Sequence, residues 1–321
     1  MEFLFAPMEG ITFSLYRSVH HKMFPGVSEY YTPFIAPDAK GSFKAKYLRD
    51  LTEDRGEGLV IIPQLLANRA ESFSITADKL HALGFDTVNL NTGCPSGTVF
   101  SKHKGAGMLA DLPALDAFLD GIFSHAEQSG YRVSVKTRMG VQSTDEFPAI
   151  LELFNRYPVA KLIVHARARE GYYKSTPDLP GYAAAAARSK APVCYNGNLF
   201  SPDDLARLRE ASPETQSVMI GRGAVANPAL IREMQGGQLL QREELREFHN
   251  RLLQCWLERG LQPHYTVERM KTLWQYMQAC FPDSRKEIKA ILKSKALPDY
   301  QNAVSALFRT GAFTPNPEMR F

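Results

Sequence analysis

The sequence predicts an α/β fold, a (β/α)8 TIM barrel followed by a smaller all-helical C-terminal domain. Three observations lead there. Eight short apolar runs alternate with helix-like segments over about the first 235 residues, the runs are continuously apolar, and they cease after QGGQLL at 235–240. Continuous apolar character suits strands covered by helices on both faces, whereas a sheet with one wet face alternates. Eight strand-then-helix units match the usual size of a (β/α)8 barrel. An open doubly wound sheet shares the alternation and needs no closure between first and last strands. Its dinucleotide-binding version is disfavoured by the lack of a GxGxxG turn after the first strand.

The expected strands are, in order, FLFAP at 3–7, SEYYTPF at 28–34, LVIIPQL at 59–65, TVNLN at 87–91, RVSVK at 132–136, KLIVHA at 161–166, APVCYNG at 191–197 and QSVMIGRG at 216–223. Between them, ESFSITADKLHALG at 71–84 and LPALDAFLDGIFSHAEQ at 112–128 carry apolar residues at helical spacing. The barrel is expected over 1–237 and a helical domain over 238–321, with breaks at Gly260, Pro263 and Pro282. A chain of 321 residues exceeds the roughly 250–300 at which one core stops growing, which also favours two bodies.

Composition narrows the class. A hydrophobic fraction of 44% and a charged fraction of 22% are ordinary for a folded enzyme. No apolar run approaches the roughly 20 residues of a membrane span, and MEFLFAPMEG lacks a basic leader, so a cytoplasmic protein with no membrane partner is expected. Cys94, Cys194, Cys255 and Cys280 form no CxxC pair, which argues against a disulfide framework and a metal site. A monomer is the default expectation. The net charge of +4 is modest, but residues 242–310 hold 12 Lys and Arg against 8 Asp and Glu, an excess of 4. Lys286, Lys289 and Lys293 lie in its densest part, RKEIKAILKSK at 285–295. A solvated helix face and a phosphate-contacting face both fit that run.

Barrel enzymes build their sites at the C-terminal ends of the strands. Those ends carry Pro7-Met8-Glu9-Gly10, Gln64, Asn89 and Asn91 leading to Cys94, Lys136 with Arg138, His165 with Arg167, Asn196-Gly197, and Gly221-Arg222-Gly223. Glycines beside Arg222 after the last strand suit a phosphate, with NGN at 196–198 as the other half, although a tight turn also explains GRG. Lys136 and His165 end apolar strands, where a charge is costly unless paired or bound to a ligand; His165 also fits a satisfied core histidine. Cys94 lies in the Gly/Pro-rich loop NTGCPSG, within reach of a ligand. With an ordinary thiol pKa of about 8.5 it can act as proton donor or nucleophile. Cys194, Cys255 and Cys280 read as packing residues.

Taken together, APMEG at 6–10, PQLL at 63–66, NLNTGCP at 89–95, VKTRMG at 135–140, HARARE at 165–170, NGN at 196–198 and IGRGA at 220–224 resemble the tRNA-dihydrouridine synthase family. The correspondence runs in order from residue 5 to about 230, and the helical tail agrees in place with that family's RNA-binding domain. The resemblance implies FMN held by Pro7, Met8, Glu9, Gln64, Lys136, His165, Asn196, Gly197, Asn198, Gly221 and Arg222, with Cys94 as the catalytic acid. It places Asn91 and Arg138 at the substrate, tRNA on Lys286, Lys289 and Lys293, and NADPH as reductant. Three features depart from the family pattern: HARAR stands for HGRTR, NGN for NGD, and the loop SGTVFSKHKGAGML at 96–109 carries its own basic residues Lys102, His103 and Lys104.

The expected reaction is reduction of the C5–C6 double bond of uridine in tRNA, hydride and proton being delivered by two separate groups. The target base has to leave its stack to be reached. Two rivals remain at this level: an FMN-dependent barrel reductase of free pyrimidines or small enones, and a non-catalytic RNA-binding protein on a barrel scaffold. The basic helical tail speaks against the first and the joint presence of Cys94, Lys136, His165 and Arg222 against the second.

Overall fold

Pro63 divides the third expected strand, and the division shows how the sheet closes. The computed structural model describes residues 1–315; positions 316–321 of the helical domain expected over 238–321 lie outside the described residues. The strands are β1 (Glu2–Phe5), β2 (Glu29–Tyr31), β3 (Ile61–Ile62), β4 (Gln64–Leu65), β5 (Thr87–Thr92), β6 (Arg132–Arg138), β7 (Leu162–His165), β8 (Val193–Asn196) and β9 (Ser217–Ile220). Their order in the sheet is β3-β2-β1-β9-β8-β7-β6-β5-β4, with every neighbour parallel. The two ends of this order are consecutive in the chain, so eight staves close into a barrel, one of them broken at Pro63. Proline has no N–H to give to the ladder. Its carbonyl still accepts from Asn89 N at 2.8 Å, and the Gln64 carbonyl accepts from Ile35 N at 2.8 Å. Pairing of β1 with β9, from Glu2 opposite Ser217 to Phe5 opposite Ile220, is the closure an open sheet lacks.

Alternate residues of each strand point inward and outward. Leu4, Ala6, Tyr31, Ile62, Ile163, Cys194 and Met219 form a cluster inside the barrel, while Phe3, Phe5, Val133, Val135, Leu162, Val164, Val218 and Ile220 join the larger core under the helices. Both sets are buried, which is why the strands read as unbroken apolar runs. The expected helices fall at Ala70–Ala82 and Leu112–Ser129. The second shows its local causes: Asp111 accepts from Ala114 N at 3.0 Å, Pro113 sits in the first turn, and Gly130 stops the helix at φ 80°. Its Leu115, Leu119, Ile122 and Ala126 form the buried stripe, each large side chain contributing about 1.5–3 kcal/mol.

After the barrel come the helices Arg242–Glu258, Pro263–Met277, Arg285–Lys293 and Leu297–Thr310. Fully buried Trp274 donates from Nε1 to Tyr300 Oη at 2.8 Å, and His249 Nε2 lies 2.7 Å from the same oxygen. Burial drives His249 down to about pKa 4, so it is neutral. The apolar core is continuous from this region into the barrel helices: Phe248 packs edge-on against Tyr16 and Phe24, both at 5.5 Å. Arg259 adds ion pairs to Glu53 at 3.2 Å and to Asp54. Among the described residues, no helix is long and apolar enough to cross a membrane.

Candidate active site

Four amide and hydroxyl side chains at the ends of β4, β5 and β6 form one relay. Asn89 Nδ2 donates to Ser134 Oγ at 2.9 Å, Gln64 Nε2 to Asn89 Oδ1 at 2.8 Å, and Asn91 Nδ2 to Gln64 Oε1 at 2.7 Å. Asn91 Oδ1 then accepts the backbone N–H groups of Gly93 at 3.0 Å and Cys94 at 2.9 Å. The relay thus ends on the loop that presents Cys94. Such a network is rigid because each buried member is satisfied by the next. From the far side, Gly105 closes on the same loop: at φ +56° it leaves no room for a side chain, since an added Cβ would stand 2.9 Å from both Cys94 Cβ and Cys94 O. Ala106 N donates to the Cys94 carbonyl at 3.1 Å. Burial raises the thiol pKa of the half-buried Cys94, opposed in part by a hydrogen bond from the Ser96 backbone and by Arg138 and Lys136. The sulfur therefore carries its proton at neutral pH.

Opposite Cys94 the wall is cationic. Lys136, on β6, is driven down to about pKa 8 by burial first and by the neighbouring Arg138 second. No hydrogen bond or ion pair to its Nζ is found among the described residues. Arg138 is 1% exposed and donates from Nε to Gly93 O at 3.0 Å and from Nη1 to Ala168 O at 2.9 Å and Tyr172 O at 3.0 Å; among the described residues its buried Nη2 meets no acceptor in hydrogen-bond geometry, although the Tyr173 phenol lies close enough to act on the guanidinium. Arg167, also 1% exposed, donates to Ser175 O at 2.6 Å, to His165 Nε2 at 3.0 Å and to Asn198 Oδ1 at 3.0 Å. An arginine can only donate, so His165 Nε2 is the acceptor and the ring proton sits on Nδ1. Burial and four surrounding cations hold the His165 pKa well below its ordinary value, which keeps the ring neutral. Arg222 Nη2 donates to Asn198 Oδ1 at 2.8 Å, so that one neutral amide bridges two guanidinium groups. Arg167 is pushed down to about pKa 10 by burial and then by Arg222. Among the described residues every hydrogen-bond partner of Arg138 and Arg167 is neutral, an arrangement that leaves positive charge for an incoming anion.

A cavity of about 280 Å³ opens between these walls, and Pro7, Met8, Glu9, Gln64, Asn91, Cys94, Lys136, Arg138 and His165 all line it. The structure thus brings nine of the expected site residues together. Asn196, Gly197, Asn198, Gly221 and Arg222 lie beside it at the ends of β8 and β9, joined to His165 through Arg167 and Asn198. The Asn196 side chain is spent in part on the Met219 carbonyl, at 2.8 Å. Backbone is closely packed here: a Cβ on Gly197 would meet Tyr195 Oη at 2.1 Å, and one on Gly223 the Leu199 carbonyl at 2.2 Å. A ligand with a phosphate and a polar heteroaromatic ring fits this donor set: glycine-lined backbone and Arg222 at one end, an unpartnered ammonium and a buried guanidinium N–H at the other. Lys286, Lys289 and Lys293 stand elsewhere, exposed on one face of the helix Arg285–Lys293, with Ile288 and Ile291 buried on the other.

Sequence reasoning does not reach two residues of the site. Arg167 it names as a strand-end candidate beside His165, but the bridging position of that side chain is visible only in three dimensions. Tyr173, on the loop after β7, lines the cavity and lies 4.6 Å from Arg222, 5.6 Å from Arg138 and 5.9 Å from the His165 ring. Tyr276 lines the cavity from the helix Pro263–Met277, outside the expected barrel altogether.

Comparison with known proteins agrees with the geometry. A family model described as Dihydrouridine synthase (Dus) matches residues 4–309. The chain is 30% identical over 238 residues to the tRNA-dihydrouridine(16) synthase of Ralstonia nicotianae, covering 73% of this chain and 72% of that one. It is 27% identical over 303 residues to the protein of the same name from Aquipseudomonas alcaligenes, covering 88% and 92%. With the probable tRNA-dihydrouridine synthase 2 of Bacillus subtilis it shares 29% over 245 residues, 70% of each chain. Among solved structures, morphinone reductase superposes with a TM-score of 0.54 at 13% identity, over 75% of this chain and 88% of that one, a likeness of fold alone.

Proposed function

The chain belongs to the dihydrouridine synthase family, and on that premise we propose that it reduces uridine in tRNA to dihydrouridine, with FMN in the cavity at the barrel mouth and NADPH as reductant. One observation carries the reading: Cys94, with its thiol proton retained, shares a cavity with Lys136, whose ammonium has no hydrogen-bond or ion-pair partner among the described residues. The ends of β8 and β9, with Arg222 and Asn198, would hold the FMN phosphate; Lys136 and His165 Nδ1–H would meet the polar edge of the ring, with Pro7 to Glu9 and Gln64 around it. Bound there, FMN would supply the hydride for reduction of the uracil C5–C6 double bond.

The chain's own groups supply the rest. Cys94 gives its proton to C5, on the carbon adjacent to the one reduced, and the loop bonds from Asn91 keep the sulfur at the mouth. The raised thiol pKa serves this step, since a thiolate has no proton to give. Arg138 Nη2 is the donor left for the target nucleotide after three bonds to carbonyls. Beyond the cavity, the exposed Lys286, Lys289 and Lys293 face would contact tRNA phosphates, which a reductase of free bases has no use for. The relatives from Ralstonia nicotianae and Aquipseudomonas alcaligenes bear position 16 in their names, and we take uridine 16 as the target.

Incubating the protein, FMN and NADPH with unmodified tRNA and mapping dihydrouridine by mass spectrometry tests this. Product at position 16, suppressed by about 10²–10⁴-fold in Cys94→Ala with FMN still bound, is expected. Undiminished product from that variant removes the proton-donor role, and bound, reducible FMN without any dihydrouridine redirects the protein to another FMN reductase.

A further inference from the structure

The C-terminal helix Pro263–Met277 lies at the barrel mouth beside the adjacent strands β1 and β9. At its middle Arg269 lies 4.7 Å from the Phe13 ring, just past the Pro7–Thr12 turn that follows β1. Two turns later Tyr276 reaches the wall of the cavity that holds Cys94, Lys136 and His165. Residues seven apart share a helix face, so both side chains project toward the barrel. Tyr173 lines the same cavity wall, and the Tyr276 phenol is near enough to Tyr173 and Arg222 for both to act on its pKa, which burial raises first.

The contact is firm rather than incidental. The helix packs on the short segment Arg222–Ala226, whose residues from Gly223 to Ala226 are buried. Met270, Trp274 and Met277 are fully buried on the same helix. Cys280 Sγ donates to the Ala226 carbonyl at 3.4 Å, and Asn227 Nδ2 to the Pro315 carbonyl at 2.9 Å. The helix backbone is held by such a support, because moving it disturbs packed core, while the partly exposed Tyr276 ring keeps its own side-chain torsions.

We propose that Tyr276 is a cofactor-retaining residue contributed by the C-terminal helical region: its ring covers the flavin site, and flavin leaves only when that ring swings aside. Helices attached for gripping RNA thereby also set the lifetime of the holo-protein. The inference rests on the reading that the cavity binds FMN.

The test is the rate of FMN release from the holo-protein after rapid dilution, read as the rise of free-flavin fluorescence, with no substrate present. Tyr276→Ala is expected to release FMN at least about tenfold faster than wild type, which corresponds to about 1.4 kcal/mol. Tyr276→Phe keeps the ring and is expected to stay within about twofold of wild type, which also excludes a general loss of packing at this position. Tyr265→Ala, on the first turn of the same helix and 56% exposed, is expected to change nothing. Release from Tyr276→Ala at the wild-type rate overturns the proposal, and so does Tyr276→Phe releasing as fast as Tyr276→Ala. A wild-type protein that takes up no FMN overturns the flavin reading itself, and the inference with it.

Discussion

The two ends of the barrel treat buried cations in opposite ways. At the N-terminal floor, Lys161 bonds Glu29 at 2.9 Å and Glu2 at 3.2 Å, and Tyr31 donates to the same Glu29 at 2.9 Å. At the mouth, Lys136 pairs with no carboxylate among the described residues, and Arg138 and Arg167 are held by carbonyls, an amide and a neutral imidazole. The consequence shows in the two lysines. Burial alone would lower Lys161, but Glu29 and Glu2 more than offset it and its pKa is raised, whereas Lys136 falls to about 8. The larger hollow, about 1,050 Å³, is at the floor, yet its lining carries as many carboxylates (Glu2, Glu29, Glu214) as Lys and Arg side chains (Arg132, Lys161, Arg209). Size therefore does not identify the working end of this molecule; unmatched charge does. Conserved machinery at the mouth and stability at the floor is also the division expected of the fold.

The sharpest way to break this contrast is to remove a mouth cation. Arg222→Ala is expected to weaken FMN binding by roughly 100-fold, about 3 kcal/mol, at the upper end for a hydrogen bond to a charged group. Equilibrium titration of the apo-protein by flavin fluorescence measures it, and an affinity within threefold of wild type removes the phosphate grip from this end of the barrel.

Next in size is the stability of the apo-protein. The folded pKa of Lys136 lies below its ordinary value, so the unfolded chain binds more protons between about pH 8 and pH 10.5 and apo-stability rises with pH across that window. At pH 7 the buried ammonium is a liability, and Lys136→Met is expected to stabilise the apo-protein by on the order of 2 kcal/mol. Urea unfolding at pH 7 checks the sign, and a destabilised variant would show that the ammonium has a partner after all.

The exposed cations of the helix Arg285–Lys293 belong to neither class. Replacing Lys286, Lys289 and Lys293 with Ala is expected to cost about tenfold in tRNA affinity and to flatten its salt dependence, with FMN binding unchanged. Unaltered affinity at low salt would take the RNA contact away from this face.

The smallest effect is expected at the floor. Lys161→Met loses its pairing with Glu29, and the loss is about 1 kcal/mol because the partners are part-exposed. With a folded pKa above 10.5, that contribution is present at neutral pH and disappears only as pH rises through the folded value. Unfolding at pH 7 is thus expected to move in opposite directions for Lys136→Met and Lys161→Met; a shared sign would dissolve the comparison.

Much of the site was legible in the chain because barrel topology turns strand ends into neighbours. Once the eight runs are recognised, Gln64, Asn91, Lys136 and His165 must converge, although they lie up to about 100 residues apart. Pro63 lies inside the third expected strand, LVIIPQL, which the sequence reads as unbroken; that it marks the seam of closure depends on which strands flank it. Cys94 could be singled out from its Gly/Pro-rich loop. What holds it there could not, since Gly105 and the amide relay act through contacts between separate loops.

The sequence by itself determined the periodic alternation, the doubly covered strands and the set of polar residues at the mouth, because each depends on local pattern and on a topology that admits few alternatives. Only the tertiary structure decided how the charges are paired and what reaches in from elsewhere. Arg167 bridges His165 to Asn198, and Tyr276 crosses from the C-terminal helices into the cavity, because packing of the helix Pro263–Met277 on Arg222–Ala226 brings together segments whose patterns say nothing of each other. Local propensity sets elements; burial against distant partners sets which side chains meet.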